Sequence, residues 1–205
     1  SEQNAVIVGG TWTVTSGHKT FVGGTLSVSN GGTVTVNNGG TIGPTTVLSV
    51  SNTLTLANTA SGAYSPVLLK SSTDTNIVGA RLVLAGDVVF TGNGVNTNTT
   101  QIDWTVPVGG ISASSISLNG IRTFDIGDGA ATADLTIMPA ITNGGFIKTG
   151  AGALALNGEN TFAGGAIISN GVLILNGSLA GSAVVCSNAT LTGSGTIATN
   201  GATAL

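Results

Sequence analysis

The chain has 205 residues, 41% apolar and only 6% charged, with a formal net charge of −3. That composition can bury a sizeable core and is the reverse of the charge-rich, hydrophobe-poor make-up of disordered segments. The five Lys and Arg, at 19, 70, 81, 122 and 148, form no basic patch, which excludes nucleic acid as a partner. No apolar run reaches the ~20 residues that span a bilayer, so this segment is not expected to insert into a membrane.

From the amino terminus, Gly-Gly-Thr followed by an apolar residue recurs at 9–12, 23–26, 31–34 and 39–42. The stretches "TWTV", "TLSV" and "TVTV" alternate polar and apolar residues, and "VLSV" and "LTLA" extend the pattern to Ala57. Alternation of this kind predicts strands with one buried face. The close spacing of these strands places several of them in one coil. Residues 61–115 are the least regular and hold Tyr64, Pro66, Trp104 and Pro107. Within them the polar run "GNGVNTNTTQ", 92–101, predicts a protruding loop.

Beyond 115 a period emerges. Apolar pairs separated by one residue begin at Ile116, Leu135, Leu154 and Leu173, at a constant interval, and Leu191 opens the next one position early. Leu-Asn-Gly starts at Leu118, Leu156 and Leu175, and a second apolar track follows Ile126, Ile147, Ile167 and Val185. Gly and Asn after the strands supply turns, and no stretch has a helical period. The expectation is an all-β chain, residues 1–205, forming a single parallel β-solenoid with coils of about 19 residues and no significant helix. Its parts are short Gly-Gly-Thr repeats (1–60), irregular coils (61–115) and regular repeats (116–205). Nine or ten coils at ~4.8 Å each give a rod of roughly 45 Å.

The stretch "KTGAGALALNGENTFAGGAIISNGVL" resembles the passenger-associated repeat of bacterial autotransporters. Lys148, Gly150, Gly152, Leu154, Leu156, Gly158, Asn160, Phe162, Gly164, Ile168, Gly171 and Leu173 fill the family's places, with Ala166 where Thr is frequent. The resemblance covers residues 116–200. It implies a right-handed parallel β-helix, exported to the cell surface or extracellular space, whose repeat residues serve turns and strands. The family's carboxy-terminal membrane barrel has no counterpart in these residues.

Several residues invite an enzymatic reading. Asp125 and Asp128, with Arg122 nearby in "RTFDIGDG", are the best carboxylate pair for glycoside chemistry, against a plain role in turns beside Gly. Arg81, Asp103, Asp125 and Lys148 recur at nearly equal intervals, close to one coil each, but the register of the regular region places Gly144, not Lys148, above Asp125. His18, the sole histidine, sits in the turn-like "SGHKT" without a second His or Cys to build a zinc site. Trp12 and Trp104 either stack on sugars or pack, and packing is commoner for isolated tryptophans. Asn98, Asn176 and Asn188 begin Asn-x-Ser/Thr sequons of the kind that an Asn- and Thr-rich chain produces by chance. Cys186, the only cysteine, reads as a buried small hydrophobe, with an intermolecular disulfide or reactive thiol as the alternative.

No catalytic, cofactor or metal residues are therefore assigned. Residues 160–205 contain no charged side chain, and the chain starts at Ser1 without Met, as a processed or excised segment would. The functional expectation is a non-enzymatic extracellular stalk, or a fibre subunit stacking end to end on copies of itself, with an adhesive or scaffolding role towards a surface receptor or glycan. The alternative is a carbohydrate-active β-helix enzyme or glycan-binding passenger.

Overall fold

The computed structural model describes residues 3–15, 17–38, 45–57, 64–70, 79–92, 94–95, 97, 99–105, 114–180 and 184–198. They form 24 strands, three to a coil, in eight coils. The first coil holds β1 (Ala5–Val8), β2 (Thr11–Val14) and β3 (Lys19–Val22); the second, β4 (Leu26–Ser29), β5 (Thr33–Asn37) and β6 (Val47–Val50). The third holds β7 (Leu54–Ala57), β8 (Tyr64–Lys70) and β9 (Arg81–Leu84). Next come β10 (Val88–Thr91), β11 (Thr100–Thr105) and β12 (Ser115–Leu118), then β13 (Ile121–Ile126), β14 (Leu135–Ile137) and β15 (Ala140–Thr142). The sixth coil has β16 (Gly145–Thr149), β17 (Ala153–Leu156) and β18 (Glu159–Asn160). The seventh has β19 (Ala166–Ile168), β20 (Val172–Leu175) and β21 (Ser178–Ala180). The eighth has β22 (Val184–Cys186), β23 (Thr190–Thr192) and β24 (Thr196–Ala198).

First strands of successive coils pair into one eight-stranded sheet and second strands into another. Third strands form a five-stranded sheet from β3 to β15, followed on the same side by β18, β21 and β24. Every pairing is parallel, for example β1 with β4, β17 with β20 and β21 with β24. This is a parallel β-helix, and no helix occurs among the described residues. The eight described coils, at ~4.8 Å per step, span ~34 Å.

Period-2 alternation builds the core. Leu26 lies beneath Leu54 and Leu54 beneath Val88, all sealed from solvent, while the residues between them face outward. In the second sheet Leu135, Leu154 and Leu173 stack directly, at the regular interval. Each inward column is a continuous apolar contact between coils, which is how a solenoid gains stability from its neighbours.

Two expectations about register need correction. The regular interval is not general: Leu26 pairs with Leu54, Leu54 with Val88 and Val88 with Phe124, each a markedly longer step than Leu135 to Leu154. Extra residues enter between strands while the three-strand rung is kept. Ile116 lies not beneath Leu135 but beneath Ile141 on the third side, and Leu135 sits over Thr100. Ile147, Ile167 and Val185 do stack, but on the outer face, with Thr123 rather than Ile126 below them; Ile126 points into the core. The loop read at 92–101 ends earlier, since Thr100 and Gln101 already belong to β11. The Gly-Gly-Thr copy at 39–42 lies outside the described residues.

Tight stacking also sets where side chains are barred. Gly144 has φ +62, and a Cβ there would run into the Gly120 carbonyl one coil below. Gly10 has no positive φ and nothing within 4 Å of an added Cβ. Gly144→Ala is therefore expected to destabilise the chain by ~2 kcal/mol or more, and Gly10→Ala to leave it within ~0.5 kcal/mol of the parent. Leu154→Ala removes the middle of a sealed column and is expected to cost ~2–5 kcal/mol. Urea unfolding of the three variants checks the ranking; a Gly10→Ala loss as large as that of Gly144→Ala would contradict the stacking geometry.

Candidate functional site

Among the described residues, the charges most withdrawn from water lie at corners that join the first sheet to the second, Lys148 near the turn from β16 to β17 and Asp134 before β14. Lys148 alternates inward on β16, between Phe124 below and Ile168 above, and is fully buried. Its aliphatic stem fills the apolar column while the ammonium reaches the corner. There Nζ donates to the carbonyls of Thr149 (2.6 Å), Gly150 (2.8 Å) and Asn170 (3.3 Å). Gly150 adopts φ +71, and a Cβ on it would strike the Ile126 carbonyl, so only glycine turns the chain here. The three hydrogens of one ammonium thus meet three carbonyls, two from its own corner and one from the coil above.

Asp134 does the complementary work for N–H groups. It is buried, and its carboxylate accepts from Gly129 N–H at 2.9 Å and from Ala153 N–H, one coil up, at 2.7 Å. Burial is the main force pushing its pKa up, with Asp128 adding to it; the two backbone N–H bonds and Lys148 oppose the rise. Lys148 is moved down to about 8, chiefly by burial, against the attraction of Asp125 and Asp134. Both shifts have the direction expected of charges withdrawn from water.

At the third side Asn160 is buried and fully committed. Its Oδ1 accepts from Ile141 N–H in the coil below (2.9 Å), and its Nδ2 donates to the carbonyls of Gly158 (2.8 Å) and, in the coil above, Ser178 (3.0 Å). Nearby, Phe146 meets Phe124 edge-on at 5.7 Å and Phe162 at 5.3 Å, a buried aromatic row across the interior. Asn176 donates to Asn157 across one coil at 3.0 Å, the start of a side-chain ladder.

The carboxylates singled out for catalysis are placed differently. Asp125 faces outward on β13, exposed, and accepts from Thr149 Oγ1 at 3.0 Å. The residue above it is Thr149, not Gly144, because this coil step is longer than the regular one. Asp128 is exposed beyond the end of β13, and Arg122 is half-buried in the inward register over the first sheet, its Nε without a partner. Arg81 and Asp103 lie on other sheets, so the four-residue column does not exist. His18 is exposed and its ring contacts Thr15 Oγ1 at 3.2 Å. Trp12 and Trp104 pack against the core. Asn176 and Asn188 are exposed; Asn98 lies outside the described residues. Cys186 is exposed, against the buried expectation, although it continues the inward column above Ile168. Among the described residues no group of three or more His, Cys, Asp or Glu could hold a metal ion, and no helix is long and apolar enough to cross a membrane.

Lys148, Gly150 and Asn160 thus meet neighbouring coils, and Phe162 packs on Phe146 within the same coil, in the spacing of a known repeat. The family model of the passenger-associated-transport-repeat matches residues 146–175. No curated protein and no solved structure matches the chain. The repeat accounts for Lys148 through Leu173, a narrower span than 116–200. It implies a passenger segment exported to the cell surface or extracellular space. Asp134 lies outside the matched span. The sequence signal for it is its position just before the Leu135 pair, where the next coil has Ala153.

The corner predicts a pH signature. Between about pH 8 and pH 10.5 folded Lys148 has released a proton that the unfolded chain still holds, so stability rises with pH across that window. Below about 8 both states are protonated and the slope vanishes. Lys148→Met is expected to abolish the rise and to cost ~1–3 kcal/mol at pH 7 by leaving the corner carbonyls bare. Urea midpoints of both proteins from pH 7 to 10.5 check it; parallel curves would show that Lys148 does not titrate as described.

Proposed function

We propose that the chain is a non-enzymatic structural segment of an exported passenger, a rod that serves as a stalk or scaffold outside the cell. The observation that carries this reading is the use of the repeat's polar side chains. Lys148 and Asn160 have their polar atoms directed at backbone groups of their own and of neighbouring coils, and the carboxylate of Asp134 is engaged likewise. A general acid or base needs a shifted pKa at a place a substrate can reach. Here the shifted Lys148 and Asp134 are sealed, whereas the exposed Asp125 is held by a threonine hydroxyl. Adhesion to a receptor or glycan is a use such a rod can serve, through whatever it displays.

Two assays test the reading. The purified chain, incubated with a panel of acidic and neutral polysaccharides, is expected to release no reducing ends and no unsaturated uronates. Activity that disappears in Asp125→Ala would overturn the structural role. Fused ahead of an outer-membrane barrel, the chain is expected to become accessible to added protease on intact cells, and retention inside would contradict export.

A further inference from the structure

Lys19 and Arg81 are scattered in the sequence, and coiling brings them to one face of the rod. Lys19 opens β3 and Arg81 opens β9, and Lys19 pairs with Val47 as Val47 pairs with Arg81. Both cations are exposed in this outward column, while Leu48 and Leu82, on the opposite parity, are sealed in the core. The next outward column runs Phe21, Ser49, Val83 and Ser117. Phe21 is 71% exposed and is the one aromatic among the large apolar side chains that the described residues leave in water.

Two coil steps set Lys19 and Arg81 ~10 Å apart along the rod axis. Ser115 and Ala140 continue their column above Arg81. The five strands of this sheet carry no carboxylate, and the first one met further along the same side is Glu159 on β18. Lys70 lies on the second sheet, where Asp103 pairs with Leu68 and so occupies a neighbouring outward place that offsets it. Glu2 and Asp74 lie outside the described residues.

Each part of this face has a chemical counterpart. Two cations spaced along an axis suit anions spaced along a linear polymer, and an aromatic ring on a flat sheet suits the apolar face of a sugar ring. Ser49 and Ser115 place hydroxyls beside the cations, where sugar hydroxyls find partners. The cation spacing is close to the length of one disaccharide. A nucleic-acid strand carries a phosphate every ~3.4 Å and calls for a denser row of cations. A lipid surface calls for several protruding apolar side chains, where this face has Phe21 alone.

We propose that the outward face of the third sheet, over the first three coils, binds a linear acidic polysaccharide lying along the rod. Lys19 and Arg81 meet carboxylates of successive disaccharides, and Phe21 packs on a sugar ring beside the first. The inference rests on the exported-rod reading and adds to it the class of partner and the place that holds it.

Fluorescence anisotropy of labelled hyaluronan oligosaccharides, which carry one carboxylate per disaccharide, titrated with the full chain, is the test. A tetrasaccharide is expected to bind roughly tenfold more tightly than the disaccharide, because only it engages both cations. Raising salt from ~20 to ~150 mM should weaken it about threefold or more. Lys19→Gln and Arg81→Gln should each lower affinity about fivefold, and Phe21→Ser about threefold. Val47→Asp, which keeps both cations and sets a carboxylate between them, should abolish binding. Val185→Gln, outward on the first sheet, should change nothing. An unchanged urea midpoint shows that each variant is folded. No binding, equal affinity for the two oligosaccharides, or affinity untouched by Lys19→Gln and Arg81→Gln would overturn the site. Neutral dextran, oligodeoxythymidylate or anionic-lipid vesicles that bind as tightly as the tetrasaccharide would overturn the acidic-glycan assignment. A chain that neither binds nor cleaves polysaccharides loses this face and keeps the stalk reading. Binding accompanied by Asp125-dependent cleavage keeps the face and overturns the non-enzymatic reading.

Discussion

A coil that returns to its own starting face must turn corners, and corners aim backbone N–H and C=O groups at an interior without water. Strands solve the problem by pairing with the coils above and below, so they tolerate any residue of the right polarity at the right parity. At corners the ladder continues only in part, through bonds such as Gly152 N–H to the Ile126 carbonyl and Gly164 N–H to the Gly144 carbonyl, and the remaining groups depend on side chains. An unpartnered buried carbonyl or amide costs as much as the strands gain from several contacts. The regular part of this chain meets that constraint with three side chains of different chemistry. Lys148 offers three donors to carbonyls, Asp134 offers acceptors to amides, and Asn160 offers both. Each reaches into an adjacent coil, so the partner that removes the penalty also locks the register between coils.

That division explains which features are legible in the sequence. Strand positions follow from alternation: "TWTV", "VLSV" and "LTLA" coincide with β2, β6 and β7. Three strands per coil is harder to see, because sheets on different sides carry the same apolar i, i+2 pair. Ile116 and Leu135 therefore look like one column although they lie on different sides of the solenoid. Apolarity alone misplaces Ile147, Ile167 and Val185, which share the β-branched character of core residues but sit on the outward parity of their strands. For Lys148 a family pattern reveals that the residue matters, but not that it is inside. Burial of a charge depends on two glycine-bearing corners brought together by stacking, and no local signal carries that.

Shifted pKa values commonly mark active sites, since burial and neighbouring charge are how catalysis tunes its groups. The same physics operates wherever a fold must satisfy buried backbone groups with ionic side chains. What separates the two cases is access and commitment. The Lys148 ammonium already has a carbonyl for each of its hydrogens, and Tyr64, raised to about 12 by burial, donates to the Gly32 carbonyl. Groups so committed hold chain segments together. For Lys148 the charge is a cost of burial, which the hydrogen bonds to the three carbonyls offset.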